Sequence, residues 1–256
     1  MLLRRVIAHL RKQEWTAVAI DFVIVVVGVF IGIQVANLNA ERVDRDRAHS
    51  YLERIHDDLG ADLDLYADRM AFWASVSQYG RAGLAYTETG RTGDRSPWQL
   101  LLAYFQASQV AEFFTVDSTY RELTSAGELD LITDLELRRS LALYYATAAN
   151  PILTERPAYR EHIRGIIPVD VQDHIWANCY QSSAQGIQEM RDCASPISSA
   201  RAAALLARIS RDATLMSELR YWVSTMRVAA LIGTNRTAYA NELRATVRGE
   251  LGLETP

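Results

Sequence analysis

The sequence predicts an all-α protein in which one N-terminal transmembrane helix continues into an elongated helical-bundle domain on the periplasmic side. Three observations carry that prediction. Residues 16–38 are apolar apart from the opening Thr16 and from Asp21, Gln34 and Asn37. The stretches that follow and those that end the chain keep apolar residues three and four apart. Almost no run alternates as a strand would. The chain divides into residues 1–15, a cytoplasmic basic amphipathic segment, residues 16–38, the transmembrane helix, and residues 39–256, the periplasmic helical domain.

In the first segment Leu3, Val6, Ile7 and Leu10 fall on one side of a helix, and Arg4, Arg5, Arg11 and Lys12 lie largely elsewhere. Such a helix suits the anionic inner leaflet, with Trp15 near the interface. A plain basic flank that only sets topology accounts for the same residues. Those four cations against Glu14 leave a charge of +3, which favours a cytoplasmic N-terminus. The asymmetry is reduced by Arg42, Arg45 and Arg47 beyond the span, where Glu41, Asp44 and Asp46 are interleaved with them.

The 23 residues of the span reach ~34 Å at the helical rise, enough for the hydrocarbon core. A cleaved signal peptide would carry a shorter apolar region ending in a small-x-small site, whereas this one ends in Ala36, Asn37, Leu38 and Asn39. The charge-free, Val- and Ile-rich run over residues 22–33 does not suit the core helix of a soluble protein. Gly28 and Gly32 form a small-xxx-small pair that admits another helix backbone, and Asp21 and Asn39 fall within about 20° of the same stripe. A carboxylate at the helix centre costs about 2.5 to 3.5 kcal/mol on insertion scales, so it normally faces a partner or water. Asp21, Gly28, Gly32 and Asn39 therefore define a candidate helix–helix interface, with a second copy or with another membrane protein. An Asp that snorkels to the headgroups beside a fortuitous glycine pair is the alternative.

Beyond the span Leu52, Ile55, Leu59, Leu63, Tyr66, Met70 and Trp73 form an apolar seam, which predicts that the membrane helix runs outward as one rod to about Tyr86. Residues 87–97, rich in Gly, Thr, Asp and Ser, read as a loop. A helix over residues 97–113 has Pro97 at its first position and an aromatic face from Trp98, Tyr104 and Phe105. Thr119 and Glu122 have capping-box spacing, and Gly127 is placed to stop the helix they open. Asp134 caps the next helix, through Leu135, Leu141, Leu143 and Tyr144 to about Asn150. A further helix follows Ser195 and Pro196. The last is long, with Leu215, Leu219, Trp222, Met226, Ala229, Gly233, Ala240, Leu243 and Val247 in one seam. Its length suits packing against the rod, which returns the C-terminus toward the bilayer.

Cys179 and Cys193 lie between helices. In an oxidising compartment they are expected to form a disulfide, worth about 3 kcal/mol in the chain-entropy model. Two free thiols would instead follow from the opposite topology.

Composition narrows the function classes. A chain of 256 residues, 49% hydrophobic and 23% charged, is neither disordered nor collagen-like. Its 27 Lys and Arg against 31 Asp and Glu give a net charge of −4, which argues against nucleic acid as a partner. Two cysteines exclude a four-cysteine zinc site. No nucleophile elbow, zinc-protease motif, phosphate-binding glycine loop or dinucleotide fingerprint occurs. Among His9, His49, His56, His162 and His174, the pair Asp170 and His174 is four apart and the pair His49 and His56 seven apart, spacings too common to mark a metal. Asp57, Asp58, Asp62, Asp64 and Asp68 read as a solvated face, since they lack the glycine and spacing of a calcium loop. Phe72, Trp73, Phe113, Phe114, Trp176 and Trp222 read as core. No catalytic residue, metal or cofactor is expected.

Two stretches carry a resemblance. Residues 21–41 read Asp-x6-Gly-x3-Gly-x-Gln-x2-Asn-x-Asn-x-Glu and lead into Tyr51, Leu52 and the helix through Leu59. Thr119, Tyr120, Leu123, Gly127, Leu129, Leu131 and Ile132 form a Thr-Tyr-x-x-Leu-x-x-x-Gly-x-Leu-x-Leu-Ile segment. Together they resemble an uncharacterised bacterial family of single-pass membrane proteins, over about a third of the chain. Asp21 stands where that family has glutamate and Leu38 where it has tryptophan. The resemblance implies topology and a helical fold and transfers no catalytic or ligand residue. The expectation is a single-pass inner-membrane protein that meets the lipid bilayer and other proteins, as an accessory or assembly subunit of a membrane complex. A sensory or ligand-binding ectodomain signalling through a partner is the alternative.

Overall fold

The computed structural model describes residues 15–111, 113–147, 156–183 and 187–253. The basic amphipathic segment lies outside them apart from Trp15. Helix α1, Trp15–Thr89, is one rod of 75 residues, about 110 Å at the helical rise. It contains no proline, so nothing interrupts its hydrogen-bond ladder. Gly90 and Gly93, both at positive φ, open the loop that follows.

The rod is bare for its first 33 residues, where every side chain but that of Val18 is exposed. From Tyr51 onward one side is buried, and the seam of Leu52, Ile55, Leu59, Tyr66 and Trp73 faces inward as its spacing predicts. What covers it is the last helix, α8, Ala213–Glu250, which runs antiparallel to it. Every predicted seam residue of α8 from Leu215 to Val247 is buried. Two glycines of the rod admit close neighbours, Gly80 from α8 and Gly83 from Tyr104. A Cβ on Gly80 would stand 2.4 Å from Val223 Cγ2, and one on Gly83 would stand 2.7 Å from the Tyr104 ring. Helix α8 therefore ends back toward the bare part of the rod.

The remaining elements flank this hairpin. Helix α2, Pro97–Gln106, is opened by a complete capping box between Ser96 and Gln99. It stops seven residues short of the predicted end at Phe113, because the backbone beyond it is held by tertiary partners. The Trp222 indole donates to Ala107 O at 2.9 Å, Arg160 donates to Ser108 O at 2.6 Å, and Val116 N–H donates to Asp62. Helix α3, Ser118–Ser125, begins two residues earlier than the Thr119 cap predicts, with Asp117 at the cap position, and that capping box is not made. Thr119 is buried inside the first turn, and Glu122 turns to Arg54 on the rod. Gly127, at φ +72°, ends the helix, and a 3₁₀ turn over Leu129–Leu131 follows. Helix α4, Leu135–Ala146, is capped by Asp134 as predicted, but only Leu137, Leu141 and Tyr144 are buried, whereas Leu135 and Leu143 face solvent.

Helices α5, Ala158–Ile166, and α6, Val169–Asn178, lead into a two-stranded antiparallel hairpin, Tyr180–Ser182 with Gln188–Met190. Helix α7, Ser199–Ser210, starts at its Ser198 cap. Two apolar clusters result. The distal one joins the outer half of the rod to α2, α5, α6, α7 and the first half of α8, and the proximal one joins residues 51–63 to α3, α4 and the end of α8. Of the aromatics read as core, Phe72, Trp73, Phe113 and Trp222 are buried, Trp176 packs partly buried on the distal cluster, and Phe114 is 66% exposed.

Candidate functional site

The helix α1 is long and apolar enough to cross a membrane. Its most apolar 18-residue window has a mean hydropathy of 2.6, and none of that window is buried within the chain. Asp21, Gly28, Gly32 and Asn39 are all exposed, and a Cβ built on either glycine would meet nothing within 4 Å. The other described residues thus leave this stripe free. At 100° per residue, Ile55, Leu59 and Tyr66 lie about 160° to 200° around the rod from Asp21. The side that α8 covers is therefore opposite the stripe. Continuing on the stripe's own side are Asp46, Ser50 and Asp57, which are exposed. A partner seated on the glycines would run alongside an open, acidic face of the rod.

Cys179 and Cys193 are joined, with Cα atoms 5.2 Å apart. Their backbone carbonyls are held from the core, where the Trp98 indole donates to Cys193 O at 2.8 Å and Gln106 Nε2 donates to Cys179 O at 2.9 Å. The bond closes the small β-hairpin against the distal cluster. The His174 ring stands with its donor atom within 4.8 Å of both sulfurs, but joined sulfurs are poor metal ligands, and Nε2 of that ring is 2.9 Å from Ala194 O. Asp170 does not join His174; it pairs with Arg201 at 3.1 Å. His49 and His56 form no joint site either, since each faces a carboxylate of its own helix, Glu53 at 3.6 Å and Asp57 at 3.5 Å.

One reading of the acidic run is overturned. Asp57 is 84% exposed as a solvated face requires, but Asp62 is fully buried. Its two oxygens are occupied, one accepting from Val116 N–H at 2.8 Å and the other from the Tyr144 hydroxyl at 2.6 Å. Burial pushes its carboxyl up to about 6; the two hydrogen bonds oppose that shift, while the charges of Asp58 and Asp117 add to it. Tyr66, stacked on Phe113 with ring centroids 4.1 Å apart, stands beside it, and the Arg236 guanidinium lies over the Tyr144 ring. Asp58 Oδ2, Tyr145 OH and Arg236 Nη2 are buried here without a hydrogen-bond partner among the described residues. Spacing carried a signal for this centre, because Asp62 lies three after Leu59 and four before Tyr66. Leu63 competes for the same seam, and the bundle places position 62 at its middle. His162 marks a second polar junction that spacing did not reveal, between Asp212 at 3.2 Å and Glu218 at 2.9 Å. In neither centre does a hydroxyl or thiol nucleophile face a histidine base, the arrangement acyl transfer needs.

Comparison of the chain with protein-family models, with curated proteins and with solved structures returns no match.

Proposed function

We propose that the protein is a single-pass inner-membrane protein, with its N-terminus in the cytoplasm and its helical domain in the periplasm, that works through protein contacts as an accessory or assembly subunit of a membrane complex. The observation that carries this reading is the stripe of Asp21, Gly28, Gly32 and Asn39, exposed along its whole length and opposite the side that α8 covers. Small residues drive helix association in lipid by letting backbones approach, and an acidic residue at membrane depth favours a polar partner. The disulfide supports the placement, because such bonds persist in oxidising compartments and not in the cytosol.

Two experiments test the two halves of this reading. For the contact, the protein is extracted in mild native detergent and its mass and companions are determined, beside a Gly28→Leu, Gly32→Leu variant. The expected result is an assembly, with a second copy or another membrane protein, that the variant loses while its domain keeps its helical signal. Wild-type protein that returns alone as a monomer overturns it. For the placement, thiols are labelled on membranes with and without reductant, and labelling is expected only after reduction. Free thiols in untreated membranes overturn the periplasmic assignment.

A further inference from the structure

The flank of the α1–α8 hairpin carries a cationic pocket. A cavity of about 200 Å³ opens between the rod and the end of α8, lined by His56, Asn241, Arg244, Ala245 and Arg248. None of the lining residues is a carboxylate. Arg244 and Arg248 are one turn apart on the same face of α8, a spacing at which like charges repel. Arg47 and Arg54, the nearest rod arginines toward the membrane, are paired with Glu128 and Glu122. Arg244 and Arg248 have no ion pair among the described residues.

The site is also shaped. Arg244 Nε donates to His56 O at 3.2 Å, which fixes the guanidinium against the rod. Gly60 makes room for it, since a Cβ at that position would stand 3.1 Å from Arg244 Nη2. The His56 side chain is only 12% exposed, and its Nε2 is buried without a hydrogen-bond partner among the described residues. Its Nδ1 faces the largely exposed Asp57 at 3.5 Å, outside the cavity lining. Two guanidinium groups, with His56 beside them, thus line one space. Forked guanidinium donors match the oxygens of a phosphate group.

We propose that this cavity binds a phosphate-type oxyanion. Neutralising Arg244 and Arg248 together, the anion would bridge the rod to the end of α8. A free anion and a lipid headgroup share this chemistry. Position matters here, because His56 follows Leu38 by 18 residues, ~27 Å along the rod, whereas the headgroup layer is about 5 to 8 Å deep. That favours the soluble source. The site is independent of the stripe on the membrane helix, and its failure leaves the assembly reading intact.

The test is titration calorimetry on the full chain in uncharged detergent, with inorganic phosphate in one arm and a short-chain phosphatidylglycerol in the other. Saturable binding of phosphate is expected, weakened about tenfold or more by Arg244→Gln with Arg248→Gln. Gly60→Ala, which keeps every charge but displaces the Arg244 guanidinium, should also weaken it, and unchanged helical content and melting in both variants separate the site from the fold. Arginine-dependent binding of the lipid alone supports the phosphate chemistry and assigns it to a headgroup. Absence of saturable binding in both arms, or binding that neither variant changes, overturns the proposal.

Discussion

The distal and proximal halves of the domain are built from the same two helices and solve burial differently. At the distal end the rod and α8 are surrounded by α2, α5, α6 and α7. Leu101, Tyr104, Phe105, Tyr159, Ile175, Leu215 and Leu219 all lie within 1% of full burial, and a disulfide closes the edge. At the proximal end only α3, α4 and a 3₁₀ turn help, the apolar cluster is smaller, and beside Asp62 the buried Tyr145 OH and Arg236 Nη2 have no hydrogen-bond partner among the described residues. The comparison teaches where stability resides. A broad apolar cluster holds the distal end, where the buried side chains of Gln106, Ser108 and Gln109 are all hydrogen-bonded, while at the proximal end buried polar atoms are left without a partner among the described residues.

The sharpest way to break this comparison is to empty the distal core. Trp222 is buried in that cluster, and its indole donates to Ala107 O, so it also holds the backbone that ends α2. Trp222→Ala should cost about 3 to 5 kcal/mol, measured by denaturant unfolding of the detergent-solubilised protein. A loss under about 1 kcal/mol would mean that the distal cluster is not the stabilising half.

Most of the helical architecture was legible as periodicity, and the exceptions have physical causes. The seams of the rod and of α8 run long enough for apolar spacing to dominate chance, and Asp134, Pro97 and Gly127 act through local chemistry that a sequence displays directly. Helices α5 and α6 escaped because each spans only nine or ten residues after a proline, with Tyr159 and Ile163, then Val171 and Ile175, as their buried residues. The β-hairpin has three-residue strands, too short for alternation to register, and it is pinned by the disulfide. On the bare part of the rod, the stripe of Asp21, Gly28, Gly32 and Asn39 could be read straight from spacing, because a single helix carries them all. The anion cavity could not, since His56 and Arg244 meet only when the hairpin closes. Asp62 was obscured by its neighbour Leu63, equally suited to the seam.

That carboxyl supplies the next largest effect, and it sharpens the contrast between the halves. The folded state holds the Asp62 proton up to about pH 6, above the ordinary value of 3.8. A group shifted in this direction contributes its stability fully below about pH 4 and loses it as pH rises through 6. The loss amounts to roughly 3 kcal/mol at about 1.4 kcal/mol per unit. Asp62→Asn removes the titration and can keep the bond from Val116 N–H, with the amide donating to the Tyr144 oxygen and the Tyr144 hydroxyl turned toward Tyr66. Relative to wild type, the variant should therefore gain stability as pH rises from 4 to 7. Measuring both proteins at each pH cancels the other carboxylates. A difference that stays flat across that window would mean that Asp62 is solvated.

The smallest effect asks whether the two halves are thermodynamically separate. Asp134 caps α4 in the proximal half, accepting from Glu136 N–H at 2.7 Å and Leu137 N–H at 3.2 Å. Asp212 caps α8 in the distal half, accepting from Leu215 N–H at 2.9 Å. Replacing either with Ala should cost about 1 kcal/mol. Because α1 and α8 pass through both clusters without a break, unfolding one half exposes the shared helices of the other, and the domain should melt as one unit. Asp134→Ala and Asp212→Ala should then shift a single transition by similar amounts. Two transitions, each moved by only one of the substitutions, would show that the halves fold independently and that the continuity of the helices does not couple them.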